Sequence, residues 1–345
     1  MRIKISPVAS TAKVAKKTNS QTIHENAAPI CSRCHSRPSQ VFLEYCGEDL
    51  CSLCFCNLFE KRVRKANRDF LMLRRGDRIV VGISGGKDSA AMLHILDKMA
   101  RKIGDITLIP VLIDEGIAGY REKAKKKAES LCKAHGYKLK VITFKGFANF
   151  TLDQMISKRN KSKDPALKGQ KACTICGTFR KYLLNKAAID LKANKVAIGH
   201  NADDVAQTFL MNLLRADSRG TAKFSPVTDD DSENGVIRRI RPLIYIPERE
   251  CALYCEFERL PYHLGECPYS NEAFRGIVKD FLNGAEEKYP GTKFNVLSSY
   301  LGMREMLGTR APHEEKTSIR CKACGTKSMN ELCKACGLIR LFQKG

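Results

Sequence analysis

Strand-length apolar runs alternate with helix-period stretches through the middle of the chain. RIVVGIS (78–84), LIPVLID (108–114), KLKVITF (138–144), KVAIGH (195–200) and RIRPLIY (239–245) are short and apolar nearly throughout. That pattern marks strands buried on both faces. Between them, KDSAAMLHILDKMARKI sets Ala91, Ile95 and Met99 on one helical face with Met92 and Leu96 beside it. REKAKKKAESLCKAHG reads as a charged helix closing on Gly136, and RKYLLNKAAIDLKA and DDVAQTFLMNLLRAD supply two more. Repeated β-α-β units of this kind predict an α/β fold, a doubly wound parallel sheet with helices on both faces. Two segments, 157–172, basic and uncapped, and 218–235, polar with Pro and Gly, read as surface loops near the mouth of the sheet. After Pro247 the pattern is helical.

Charge and cysteine change this picture. The 345 residues carry 60 Lys+Arg against 37 Asp+Glu, a net +23. Such a field favours capture of a polyphosphate, so nucleic acid is the expected partner. The basic, polar N-terminus lacks the apolar core of a secretory signal, and no run reaches membrane-span length. A cytoplasmic protein without membrane contact is therefore expected. Most of the 16 cysteines lie in or beside CxxC pairs, which read as metal sites in a reducing compartment. Cys31, Cys34, Cys51 and Cys54 give CxxC-x16-CxxC, a structural zinc spacing, with Cys46, Cys56 and His35 as spare ligands. Cys321, Cys324, Cys333 and Cys336 repeat CKACG twice in zinc-ribbon form. Two Zn²⁺ ions are expected. Cys173 and Cys176, in a CTIC before a helix, and the remote Cys267 form a third set. Their residues alone leave a zinc site with a further ligand, or a persulfide-carrying dithiol, open.

The first strand runs into Gly85, Gly86, Lys87, Asp88 and Ser89 and then into a helix. A glycine-rich turn at a helix N-terminus presents amides and a positive dipole end to an anion. Lys87 adds a point charge, Ser84 and Ser89 add hydroxyls, and Asp88 suits Mg²⁺. It is not a Walker loop, because Val81 stands where that motif needs glycine and Asp88 follows the lysine.

SGGKDS is similar to the pyrophosphate loop of ATP pyrophosphatases that adenylate a substrate. With DEGIAGYR (114–121), CTICGTFRKYLLNKAA (173–188), GHNADDVAQTFLMNLLR (199–215), ECPYSNEAFRGIVKDFL (266–282) and CxxC pairs at both ends, the chain from Cys31 onward resembles the tRNA uridine 2-thiolation family. The resemblance implies an ATP-dependent tRNA sulfurtransferase on a PP-loop fold of the adenine nucleotide alpha hydrolase type. Zinc modules would flank the sheet at both ends. It implies that Gly82, Ile83, Ser84 and Asp88 line the nucleotide, that Arg180 contacts phosphate, and that Gly199 and Asp204 close the far side. It also implies that Cys173, Cys176 and Cys267 hold a 4Fe-4S cluster with one open iron. Lys87, Asp88 and the three cysteines would then carry the chemistry. The implied divisions are a basic tail (1–30), an N-terminal zinc module (31–60) and a catalytic PP-loop domain (61–250). A helical region completing the cluster site (251–315) and a zinc ribbon (316–345) follow. The wobble uridine is the preferred target over the T-loop. Sulfur would come from a ubiquitin-like carrier or free sulfide, and a homodimer is implied. The competing reading is a non-enzymatic zinc-ribbon nucleic-acid binder with a nucleotide switch, which leaves Cys173, Cys176 and Cys267 without a purpose.

Overall fold

A computed structural model of the chain describes residues 29–228, 232, 235–270, 274–308 and 319–344. Nearly all of the expected N-terminal tail lies outside them. A hairpin of β1 (Val41–Leu43) and β2 (Glu48–Leu50) leads into α1 (Ser52–Phe70), which runs unbroken across the 60/61 division. The sheet strands are β3 (Arg78–Gly82), β4 (Thr107–Asp114), β5 (Lys140–Thr143), β6 (Lys195–Ala197) and β7 (Arg238–Ile240), all parallel, in the order β5-β4-β3-β6-β7. Strand order reverses between β3 and β6. In open α/β sheets that crevice, at the carboxyl ends of the strands, is where ligands sit.

The connecting helices are α2 (Lys87–Ile103), α3 (Arg121–Ala134), α4 (Phe144–Ala148), α5 (Leu152–Lys161), α6 (Pro165–Lys168), α7 (Ala172–Asp190), α8 (Ala202–Leu213) and α9 (Ser218–Lys223). Because side chains alternate along a strand, Ile79 and Val81 pack into one apolar cluster with α2, while Val80 packs into the other with α7. The C-terminal helices α10 (Glu248–Phe257), α11 (Arg275–Lys288) and α12 (Thr292–Gly308) follow. Phe59 of α1 stacks on Tyr254 of α10 at 3.9 Å between ring centroids. Last come a small hairpin, β8 (Ile319–Arg320) and β9 (Lys327–Ser328), and α13 (Lys334–Lys344), whose Leu338 and Phe342 join the α7 cluster.

Three expectations need correcting. The segment 157–172 is not a loop: α5 reaches Lys161, α6 follows, and α7 starts at Ala172. The helix signals are there. Thr151 and Gln154 form a capping box, and Asp164 caps α6 ahead of Pro165 at its first position. The segment 218–235 begins with α9, capped by Asp217. The run 239–245 is strand only to Ile240. Pro242 offers no N–H to a ladder, and the chain turns while keeping Leu243 and Ile244 buried.

One buried ion pair anchors the amino-terminal edge of the sheet. Lys195 and Asp77 meet at 2.6 Å, both nearly fully buried, and Asp77 also accepts from the Arg74 amide and the Asn194 side chain. Lys195→Met leaves that carboxylate buried without its cation. It is expected to cost about 3 kcal/mol in urea unfolding, with the m-value unchanged.

Candidate active site

The phosphate loop begins where β3 ends. Ile83 adds one more sheet bond, its amide donating to the Val111 carbonyl at 2.8 Å. The chain then turns sharply at Gly85, whose φ of +86° places it in the left-handed region. Gly86 is the extended N-cap of α2, and no side chain caps that helix. The first-turn amides of α2 therefore face the crevice with the positive end of the dipole behind them. Ser84 and Ser89 brace the turn from inside. Their hydroxyls are 3.1 Å apart, and Ser89 accepts from the Ser84 amide and donates to the Gly86 carbonyl.

Gly199, just past β6, lies against the first turn of α2, where an added Cβ would stand 3.3 Å from the Asp88 carbonyl carbon and the Ser89 nitrogen. Asn201, the N-cap of α8, donates to Asp88 at 3.0 Å and exchanges capping-box bonds with Asp204. Asp204 also pairs with Arg275 of α11. Burial raises the pKa of both Asp88 and Asp204, against the pull of Lys87 and of Arg275. Two desolvated carboxylates at a phosphate site match a divalent cation that prefers oxygen ligands. Lys87 lies between Asp88 (3.3 Å) and Glu248 (3.0 Å), and Lys279 holds Glu248 from the other side. Although burial opposes it, those two carboxylates raise the Lys87 pKa, so the lysine stays charged. Asp203 does not cap α8. It is buried, accepting from the Glu248 amide and pairing with Lys293.

Across the crevice stand the three cysteines. Cys173 and Cys176 lie inside the first turns of α7 rather than before it. Cys176 and Cys267 both pack at the edge of the α7 apolar cluster, and the Cys173 thiol donates to the Tyr269 carbonyl at 3.6 Å. Two bonds hold the Cys267 segment there. The His263 amide donates to the Gly85 carbonyl at 2.8 Å, and the Tyr269 hydroxyl donates to Asp153 at 2.7 Å. The segment carrying the remote cysteine is thus tied directly to the phosphate loop. Cys251 and Cys255 take no part in this wall. They lie fully buried in the α2 cluster, and Cys255 donates to the Lys87 carbonyl.

Arg180 comes one turn after Cys176. His200 follows Gly199 just past β6 and is exposed. Desolvation by the surrounding protein, together with Arg241, Arg275, Arg180 and Arg239, pushes its pKa down to about 3, so the ring is neutral at physiological pH. Sequence reading missed Glu115, Arg121, Asn201, Glu248 and Arg275. The N-cap pattern of GHNADD was the one signal for Asn201; the others owe their place to tertiary contacts.

Two further groups of four cysteines stand apart from the crevice. The sulfurs of Cys31, Cys34, Cys51 and Cys54 lie within 4.8 Å of one another, as do those of Cys321, Cys324, Cys333 and Cys336. Cys34 and Cys51 are 3.9 Å apart, and Cys324 and Cys333 are 3.7 Å apart. A tetrahedral zinc with Zn–S bonds of about 2.3 Å sets its sulfurs about 3.8 Å apart, so both donor sets fit that ion. Cys46 turns away instead, toward the Leu43 carbonyl and Glu48. The sulfurs of Cys173, Cys176 and Cys267 do not crowd to this single-ion spacing.

The PP-loop domain family matches residues 57–285. The tRNA 2-thiolation protein NcsA of Haloferax volcanii is 35% identical over 91% of this chain and 99% of its own length. The cytoplasmic tRNA 2-thiolation protein 1 of Oryza sativa is 33% identical over 92% and 84%. Among solved structures, the U34-tRNA thiolase NcsA from Methanococcus maripaludis with its 4Fe-4S cluster superimposes with a TM-score of 0.73 at 32% identity, covering 91% of this chain and 95% of that one. In sequence and in fold, the chain belongs to the PP-loop family of tRNA 2-thiolation proteins.

Proposed function

We propose that this protein is an ATP-dependent tRNA 2-thiouridine synthase acting on the wobble uridine. The observation that carries the reading is the meeting, at one sheet switch point, of a phosphate loop and the segments that bear Cys173, Cys176 and Cys267, joined by the His263–Gly85 bond. The U34 thiolase named above supports the wobble position. The uridine C2 oxygen is a poor leaving group. Its attack on the α-phosphorus of ATP forms an O–P bond and releases pyrophosphate. Sulfur then bonds to C2, and the C–O bond breaks with AMP carrying the oxygen away.

The chain's own groups serve the first half of this sequence. The α2 amides and Lys87 hold the polyphosphate, Asp88 and Asp204 hold Mg²⁺, and Arg180 faces the phosphate from the cysteine side. Fixing the base between these walls supplies the orientation that a bimolecular attack lacks. Cys173, Cys176 and Cys267 would hold a 4Fe-4S cluster rather than zinc, three thiolates being too few to close a structural zinc site. When bound, a cluster with three protein thiolates offers an open iron to a soft sulfur ligand. The non-enzymatic alternative gives the three cysteines no purpose.

Anaerobic purification is expected to yield brown protein containing iron. Nucleoside mass spectrometry of tRNA from a deletion strain should show 2-thiouridine lost at the wobble position. Colourless protein, or loss confined to the T-loop, would overturn the reading. The two four-cysteine groups are assigned structural Zn²⁺. Cys321→Ser with Cys324→Ser is expected to lose about one equivalent of zinc and weaken tRNA binding while ATP affinity holds, as checked by metal analysis and filter binding.

A further inference from the structure

Glu115 follows directly after β4 and is 1% exposed. A carboxylate so deeply buried needs cationic partners, and it has two. It pairs closely with Arg121 and at 3.4 Å with Arg180. Arg121, itself nearly fully buried, turns its other edge to the phosphate loop and donates to the Ser84 carbonyl at 2.9 Å. Arg180 comes from α7, with its side chain 44% exposed and beside the Cys176 thiol. One buried anion thus joins the nucleotide wall to the cysteine wall. A guanidinium is a planar fork of five donors, so fixing one edge fixes the direction of the rest. Glu115 meets Arg180 at Nε, which leaves the two terminal nitrogens of that fork for another acceptor. Two cations against one anion also leave a net positive charge beside the site of the phosphate.

We infer that Glu115 is a positioning residue. It aims Arg180 at the phosphate that becomes the AMP leaving group, and through Arg121 it keeps the phosphate loop in register with the cysteine wall. This inference rests on the proposed reading of the crevice. A group acting through another affects the reaction rather than the encounter with tRNA. A misplacement of about 1 Å at such a position costs on the order of a hundredfold in rate.

The test uses the full chain with its metals in place. Glu115→Gln is expected to lower kcat for thiolation about a hundredfold with KM for tRNA within about threefold of wild type. Its calorimetric affinity for a non-hydrolysable ATP analogue should fall about tenfold, a readout independent of turnover. If the glutamine variant does not fold, Glu115→Asp, which keeps the charge but draws it back from both arginines, should still lose at least about tenfold in kcat. In an Arg180→Ala background, adding Glu115→Gln should cost clearly less than its roughly hundredfold in wild type, because the share that acts through Arg180 is already lost. Wild-type kcat and analogue affinity in Glu115→Gln, or fully multiplicative losses in the double variant, would overturn the inference. Failure of the wild-type chain itself to thiolate tRNA would instead sink the reading of the crevice, and the analogue affinity would still decide the role of Glu115.

Discussion

Cys267→Ala is expected to abolish tRNA thiolation while ATP affinity stays within about threefold of wild type. The nucleotide and sulfur sites share a crevice but not their groups. Cys267 packs beside Cys176 on the α7 side, whereas the amides, Lys87 and Asp88 belong to α2. In the proposed cluster site, removing one of three thiolates takes away a direct ligand, so the loss should exceed the roughly hundredfold typical of losing an outer partner of a metal. Pyrophosphate release upon tRNA addition separates the half-reactions: it should persist in the variant although no 2-thiouridine accumulates. Anaerobic assays that still formed thiouridine would remove Cys267 from the sulfur site. Cys251→Ala and Cys255→Ala report instead on the packing beneath α2, and their iron content should match wild type.

Gly85→Ala is expected to eliminate measurable ATP binding. The residue holds φ +86°, and the Cβ would stand 2.2 Å from the Ala124 carbonyl oxygen and 2.7 Å from its carbon. Those are backbone atoms of α3, which have no rotamer to yield. The left-handed conformation alone costs about 1–2 kcal/mol for alanine. The loop must therefore move, and moving it also strains the His263–Gly85 bond that ties the cysteine segment in place. Calorimetric titration should show at least about a hundredfold loss of affinity, some 2.8 kcal/mol. The far-ultraviolet circular dichroism should be unchanged, because the strain lies at the end of β3 rather than within it. Gly276→Ala and Gly284→Ala on α11 are the controls, since nothing lies within 4 Å of either added Cβ. A Gly85 variant with wild-type affinity would mean that the loop does not hold the phosphates as described.

The sheet was legible because its strands are buried on both faces. A run such as RIVVG has no polar face to offer to solvent, and the glycine turn and the α2 periodicity that follow agree with it. The phosphate loop was legible because its chemistry is local, six consecutive residues at one strand-to-helix junction. What escaped was of two kinds. In α5 and α6 a basic composition masked real caps at Thr151 and Asp164. At the crevice, Glu115 owes its importance to Arg121 and Arg180. Arg180 lies 65 residues on in the chain, and only the packing of α7 against β4 brings it back. Glu248 likewise reaches Lys87 across 161 residues. Pairings at that separation leave no spacing signature. The three cysteines stand between these cases: CTIC is a local pair, but its meeting with Cys267 depends on the anchoring of the segment at Gly85 and Asp153.

Oxygen tracing tests most directly whether one uridine receives both the adenylyl group and the sulfur. Anaerobic, metal-loaded protein is given ATP, sulfide and tRNA whose target uridine carries ¹⁸O at C2, and the released AMP is weighed by mass spectrometry. One ¹⁸O per AMP, in step with one 2-thiouridine per tRNA, is the predicted result. Thiouridine formed alongside unlabelled AMP would contradict it.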